Sequence, residues 1–345
     1  MFNSIRIAID LAKNVFQVCT FTAHGKILSN KKVSRSKLVA MIRQFKPTIL
    51  VMEACYSANY WARVFSEMGH DVKLIPAQHV KPFVRGNKND ANDAIAIAEV
   101  SLRPRMRFVE FKTVAQQDLQ MLHRIRSRHI EERTRIANQT RGLLSEYGII
   151  VPKGIRHLRK RIPGILEDAQ NELTTLGRQC IAGLYDELLV ATDRLEKDNI
   201  ALAAAMSDHP DYERLLGIPG IGPMTASYIV ASVGNGAQFD SARQMSAWLG
   251  LTPLGEASGE KSRLKGISKR GNRYLRTLFI HCARALLTVW RPKNKGPLTD
   301  WMNQRLARRG WNKTVVAVAN KLARICWVIV HRKEDYSAKK RVATG

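Results

Sequence analysis

Acidic side chains are scarce in this sequence: 29 Asp and Glu stand against 56 Lys and Arg in 345 residues, a formal charge of +27. That imbalance excludes an ordinary neutral surface and points to a polyanionic partner, nucleic acid before an anionic membrane. The membrane is disfavoured because no lipidation motif, and no basic amphipathic helix separate from a core, stands out. Cysteine is scarce too. The five present (Cys19, Cys55, Cys180, Cys282, Cys326) show no CxxC or CxxH spacing, which argues against disulfides and a zinc site and fits a reducing cytoplasm. Long apolar runs are missing. The most apolar late stretch, 314–330, carries Asn320, Lys321 and Arg324 and reads as too short and too charged to span a bilayer. No signal peptide is expected, because Ser4, Arg6, Asp10 and Lys13 interrupt the start.

An apolar fraction of 45% is enough for buried cores, and the length suggests two or three domains. The charge is uneven. Residues 1–110 hold 17 bases and 8 acids, 111–210 hold 15 and 13, and 211–345 hold 24 and 8. The last third is therefore the main electrostatic handle for phosphates.

Strand and helix signals alternate over the first hundred residues. Strands are expected at 5–9, 15–22 and 26–33, a helix at 36–45, a strand at 48–52, a helix at 56–68 and a strand at 72–75. Helical stretches at 78–84 and 91–102 follow. This order is that of a ribonuclease-H-like (RuvC-like) α/β domain, placed at 1–110. Residues 111–210 read as a helical coiled-coil or dimerisation arm of two long helices, 114–147 and 165–206, joined by a connection at 148–164. Residues 211–345 read as a compact all-α domain with helices at 274–290, 298–308 and 313–330, a polar loop at 252–272 and a frayed tail.

Four acids stand where such a fold would converge them. Asp10 follows the first strand, Glu53 follows the fourth, and Asp90 and Asp93 sit three residues apart at the start of a helix, so both can point from one face. Hard cations such as Mg²⁺ take oxygen ligands, and carboxylates from several elements supply them. Two such ions, roughly 3.5–4 Å apart, can activate a nucleophile and stabilise a leaving oxygen in phosphodiester displacement. Each acid alone has a plainer reading as a turn residue or cap, Asp90 as an N-cap above all. The domain holds only eight acids, however, and four fall at these points.

Two further motifs lie in the last third. Gly217-Ile-Pro-Gly-Ile-Gly222 resembles a helix-hairpin-helix turn in which Gly220 and Gly222 let backbone approach a phosphate; the alternative is a tight interhelical turn. The loop Gly255-Glu-Ala-Ser-Gly-Glu-Lys-Ser262 runs on through Lys265-Gly-Ile-Ser-Lys-Arg-Gly-Asn272. Its Lys261, Arg263, Lys265, Lys269 and Arg270, with Arg273 and Arg276 on the next helix, suit phosphate binding. Three serines lie here, and no neighbouring base selects one as a nucleophile.

The segments Ile-Asp-Leu-Ala-Lys (9–13), Met-Glu-Ala (52–54), Asn-Asp-Ala-Asn-Asp-Ala (89–94), Gly-Ile-Pro-Gly-Ile-Gly (217–222), Gly-Leu-Thr-Pro (250–253) and Ser-Lys-Arg-Gly-Asn-Arg-Tyr-Leu-Arg (268–276) together resemble the DEDD transposases of bacterial insertion sequences. This is the IS-one-ten family, related to the Piv/MooV invertases; Tyr147-Gly-Ile-Ile-Val-Pro152 resembles its eleven-eleven subgroup. The resemblance covers almost the whole chain. It implies that Asp10, Glu53, Asp90 and Asp93 bind Mg²⁺, and that Ser258 attacks DNA to form a covalent phosphoserine link, with Ser262 four residues away as the alternative. It further implies a composite site across domains or protomers, element-end and target DNA as partners, a structured bridge RNA as guide, and a homodimer or homotetramer. The rival enzyme reading is a RuvC-like junction resolvase or nuclease using metal-activated water. The non-catalytic rival is an RNA-binding or chromatin-like protein whose acids are only caps. A sugar-kinase-type ATP fold also opens with a strand ending in Asp, but it wants glycines where Leu11-Ala12-Lys13-Asn14 has none.

Overall fold

The computed structural model describes residues 5–84, 89–258 and 261–337, the side chains of 256–258 and 261–264 lying outside the described set. Internal contacts divide the chain into two units, Met1–Val114 and Ala115–Gly345.

The first unit is built on a five-stranded sheet. In chain order its elements are β1 (Ile5–Asp10), β2 (Val15–Thr22), β3 (Ile27–Ser34), α1 (Arg35–Ile42), β4 (Ile49–Glu53), α2 (Ala58–Glu67), β5 (Asp71–Ile75), α3 (Ala77–Val80) and α4 (Asp90–Ser101). The sheet order is β3-β2-β1-β4-β5. β1 pairs antiparallel with β2, and β2 with β3, while β4 runs parallel to both β1 and β5. Both faces are covered, which is why β1 and β4 are near-continuous apolar runs. Ile7 and Ile9 face a core shared with Leu38, Ile42, Trp61 and Phe65. Ala8 and Val51 face the other core, with Ala94, Ile97 and Val100 of α4. Topology and layers are those of a ribonuclease-H-like domain, as expected from the order of signals.

The second unit begins with α5 (Val114–Ser145), α6 (Ile155–Glu167) and α7 (Thr175–Ala204). α5 and α7 form an antiparallel pair: Arg126 Nε donates to Asn199 Oδ1 at 2.7 Å, and His129 Nδ1 lies 2.7 Å from Asp198 Oδ2. The expected helix 165–206 is in fact two, and the expected connection 148–164 contains most of α6. Two features disguise this helix. Leu158 and Ile162 supply only one buried i, i+4 pair, and Pro163 lies inside it. Pro163 has no N–H for the carbonyl of Arg159 four residues back; the Tyr185 hydroxyl donates there instead, at 3.2 Å. The break after α6 is held by Arg178, whose guanidinium donates to the carbonyls of Ile165, Leu166 and Asp168 and to Asn171 Oδ1 at 2.8–3.2 Å. These are the orphan carbonyls a helix end must satisfy.

The rest of the unit is helical: α8 (Pro210–Leu216), α9 (Pro223–Val233), α10 (Ala242–Trp248), α11 (Arg273–Ala285), α12 (Pro297–Arg309) and α13 (Trp311–Arg332). The expected loop 252–272 instead contains a hairpin, β6 (Pro253–Ser258) with β7 (Lys261–Ile267). A two-stranded ribbon stands apart from the main sheet and need show no apolar alternation, the signal by which strands are recognised. α13 is also longer than expected. At 22 residues it is long and apolar enough to cross a membrane, contrary to the sequence reading, yet 67% of its most apolar window is buried. Val315, Val318, Leu322, Cys326 and Ile329 pack into the C-terminal core, which accounts for their apolarity.

A candidate carboxylate centre and a basic hairpin

β1 and β4 are parallel neighbours, paired Ile7 with Leu50, Ala8 with Val51 and Ile9 with Met52. One residue further along both strands stand Asp10 and Glu53. Side chains alternate across a sheet with a period of two, so Asp10 shares its face with Ala8, and Glu53 shares its face with Val51. That is the α4 face. The start of α4 is fixed there by a polar chain: Gln17 Nε2 donates to Asn30 Oδ1 at 2.7 Å, and Asn30 Nδ2 donates to the carbonyl of Ala91 at 3.0 Å. Asn89, not Asp90, caps the helix, accepting from the amide of Asn92 at 2.8 Å. Asp90 and Asp93 are thereby left in the first turn with their carboxylates free of capping duty. Gln17 and Asn30 were not singled out in the sequence; their place opposite Asp10 and beside Ala91 depends on strand register.

The four charges meet through space. Burial, then repulsion from Asp93, Asp90 and Glu53, pushes Asp10 up to about 7. Glu53 is raised by burial and by Asp93. Cys55, just past β4, is pushed up to about 11 by burial and by the charges of Glu53 and Asp10, so it stays a thiol and leaves the donor set all oxygen. Lys32 approaches Asp90 only at 4.0 Å, with both side chains more than half exposed, and water screens such a pair. Among the described residues no three acidic, His or Cys side chains stand close enough to grip an ion as placed. Mutually repelling carboxylates, three of them half-buried, are nonetheless the chemistry that fits a hard divalent cation.

In the second unit, the turn between α8 and α9 places Gly220 at φ +83, where a Cβ would meet Leu286 at 3.1 Å, while Gly222 has open space around it. Gly220 thus serves packing, and Gly222 precedes α9 as its N-cap. Beyond α10, two glycines cross: a Cβ on Gly250 would fall 2.4 Å from the Arg270 carbonyl oxygen, and one on Gly271 would fall 1.8 Å from that of Trp248. This contact locks the base of the hairpin, helped by Arg276, whose Nη1 donates to the carbonyls of Leu249 and Arg270 at 2.9 Å. Lys265, Lys269, Arg270 and Arg273 are exposed. Ser258 ends β6 opposite Lys261, and Ser262 pairs with Ala257. The Ser258, Ser262, Lys261 and Arg263 side chains lie outside the described set, as do Gly259 and Glu260 altogether.

A DEDD transposase domain of the IS110 type matches residues 7–149, and the transposase family described as IS116/IS110/IS902 matches residues 212–296. The transposase for insertion sequence element IS1111A of Coxiella burnetii is 44% identical over 331 residues, covering 96% of this chain and 90% of that protein. A probable family 20 transposase of Pseudomonas aeruginosa is 40% identical over 97% of this chain and 99% of its own. The transposase for insertion sequence element IS1328 of Yersinia enterocolitica is 39% identical over 98% of this chain and the whole of its own.

Proposed function

Because the chain belongs to the IS116/IS110/IS902 family of transposases, we propose that it cuts and rejoins DNA with Asp10, Glu53, Asp90 and Asp93 as ligands of Mg²⁺ and Ser258 as nucleophile. The observation that carries this reading is that Asp10, on the α4 face of the sheet, is pushed up to about 7 by burial and then by the charges of Asp93, Asp90 and Glu53. A divalent cation is the cofactor such a DEDD domain implies; bound by these residues, it would supply Lewis-acid stabilisation of the phosphate's oxygens. In the reaction Ser258 Oγ bonds to phosphorus while the bond from phosphorus to a deoxyribose oxygen breaks. The serine gives up its proton and the departing oxygen gains one. One phosphodiester is exchanged for another, so the step is reversible and rejoining needs no energy-rich cofactor.

The labour divides along the chain. Residues 1–110 hold the metal, 111–210 form an arm for homodimer or homotetramer assembly, and 211–345 present the serine hairpin and a basic surface, Gly222, Lys261, Arg263, Lys265, Lys269, Arg270 and Arg273 among its phosphate contacts. A structured guide RNA fits the same charge excess. Purified protein, Mg²⁺, co-expressed RNA and labelled element-end DNA, run on a denaturing protein gel, test this directly. A labelled protein band lost in both Asp10→Ala and Ser258→Ala is expected. Nicking that needs Asp10 but not Ser258, without a covalent band, would replace the serine by metal-activated water.

A further inference from the structure

The helix that the sequence conceals is also the most basic short stretch of the arm. Between residues 153 and 161 stand Lys153, Arg156, Arg159, Lys160 and Arg161, with no acid among them. The arm as a whole is nearly balanced, 15 bases against 13 acids across 111–210, so this run does not merely repeat the protein's net charge. It gathers a third of the arm's bases at one end. Leu158 and Ile162 turn inward to the arm's core. Arg156, Arg159 and Lys160 are exposed, one turn apart on the opposite face, within about 6 Å of one another by helical spacing. Arg161 donates to the carbonyl of Ile150 at 3.3 Å, and no ion pair engages any of the five among the described residues. Clustered cations on a rigid helix face repel one another, and a polyanion that meets them relieves that repulsion.

The place of this face in the unit matters equally. The root of the arm is tied to the C-terminal helices. Gln120 Nε2 donates to the carbonyl of Ala231 at 2.9 Å, and His123 Nε2 lies 3.0 Å from Ser227 Oγ. From that root, at His123, α5 continues 22 residues to Ser145, about 33 Å at 1.5 Å per residue. α6 sits at the far end. Along duplex DNA the same distance is about 10 base pairs at 3.4 Å each.

We propose that the exposed basic face of α6 holds the phosphate backbone of duplex DNA about 10 base pairs from the DNA seated on the C-terminal helices. The contact is electrostatic and independent of sequence, and it makes the arm an outrigger that sets how DNA enters the complex. It rests on DNA being the partner, and neither on Ser258 nor on the carboxylates. Because it is read from phosphates, its signature is the dependence of binding on salt: each neutralised phosphate contributes about 0.9 to the slope of log K against log salt.

The test uses the full chain with Arg156→Gln/Arg159→Gln/Lys160→Gln, and two random-sequence DNA duplexes, one of about 6 base pairs closed by a hairpin loop and one of about 30, spans below and above the roughly 33 Å reach. On the short duplex the variant and wild type should show the same salt slope. On the long one the variant's slope should be smaller by about 3. A companion variant, Arg156→Lys/Arg159→Lys, keeps the charge and should keep the wild-type slope, which separates lost charge from lost fold. Equal slopes on both duplexes, or an equal deficit on both, overturn the proposal. A deficit seen with duplex RNA and not with DNA overturns it as well. A wild type without salt-dependent DNA binding overturns the DNA-joining reading itself.

Discussion

His123 is an imidazole in a place where its charged form has nowhere to go. It is 1% exposed, its ring packed edge-on against Tyr228 and Tyr274 at centroid distances of 4.9 and 5.8 Å. Its nitrogens face Ser227 Oγ and Tyr274 Oη. Among the described residues no carboxylate is paired with it, and the charge it feels is that of the cation Arg126. Burial first, and Arg126 second, bring its pKa down from 6.5 to about 4. Between those values the unfolded chain binds a proton that the folded chain does not, so stability falls as pH falls from 6.5 towards 4 and levels off below. At 1.36 kcal/mol per pH unit the full loss is about 3 kcal/mol. His123→Gln removes the titrating group while keeping polar atoms for Ser227 and Tyr274. The assay is urea unfolding of the full chain at pH 4, 5, 6 and 8. Wild type should lose about 3 kcal/mol more than the variant between pH 8 and 4. Parallel profiles for the two proteins, or an NMR titration placing this ring near 6.5, would refute the reasoning.

Asp10→Asn relieves repulsion among the four carboxylates, so at pH 8 in EDTA its Tm should exceed that of the wild type, while Mg²⁺ should raise the wild-type Tm and leave the variant unmoved; a variant that Mg²⁺ stabilises equally well would remove Asp10 from the ligand set. Gly271→Ala sets a Cβ 1.8 Å from the Trp248 carbonyl oxygen at φ +75 and should cost at least about 3 kcal/mol. Gly266→Ala in the same hairpin, where nothing lies within 4 Å, should leave the thermal midpoint near wild type, and equal midpoints for the two would contradict the crossing. Arg178→Ala strips four hydrogen bonds from the break after α6 and should raise amide hydrogen exchange over residues 165–171 without changing exchange in the five-stranded sheet.

How much of this was legible depended on whether a side chain's role was written in its own neighbourhood. The middle of the sheet was legible because β1 and β4 are buried on both faces and end in polar residues; Ile7-Ala8-Ile9 before Asp10 and Leu50-Val51-Met52 before Glu53 mark length and direction together. From there a period of two is enough to bring Asp10 and Glu53 to one face once the strands are parallel. The hairpin at 253–267 was not legible, because a two-stranded ribbon outside the five-stranded sheet need leave no apolar rhythm in the sequence. α6 was hidden by Pro163, whose missing donor is compensated by Tyr185, 22 residues along the chain and on another helix.

The same contrast separates the two kinds of site. The carboxylates are costly to gather, so the fold has to spend strand ends, the Asn89 cap and the Gln17–Asn30–Ala91 chain to hold them, and those constraints leave marks in the sequence. Phosphate contacts need only exposed cations on a rigid support, and a sequence with 56 of them does not say which are gathered. Arg276 shows the difficulty: it reads as a phosphate ligand beside Arg273, yet its guanidinium donates to the carbonyls of Leu249 and Arg270. Arg178 does the same at the end of α6. Only after such structural arginines are set aside does the face carrying Arg156, Arg159 and Lys160 stand out, because there the cations are exposed on a helix and, among the described residues, meet no carboxylate.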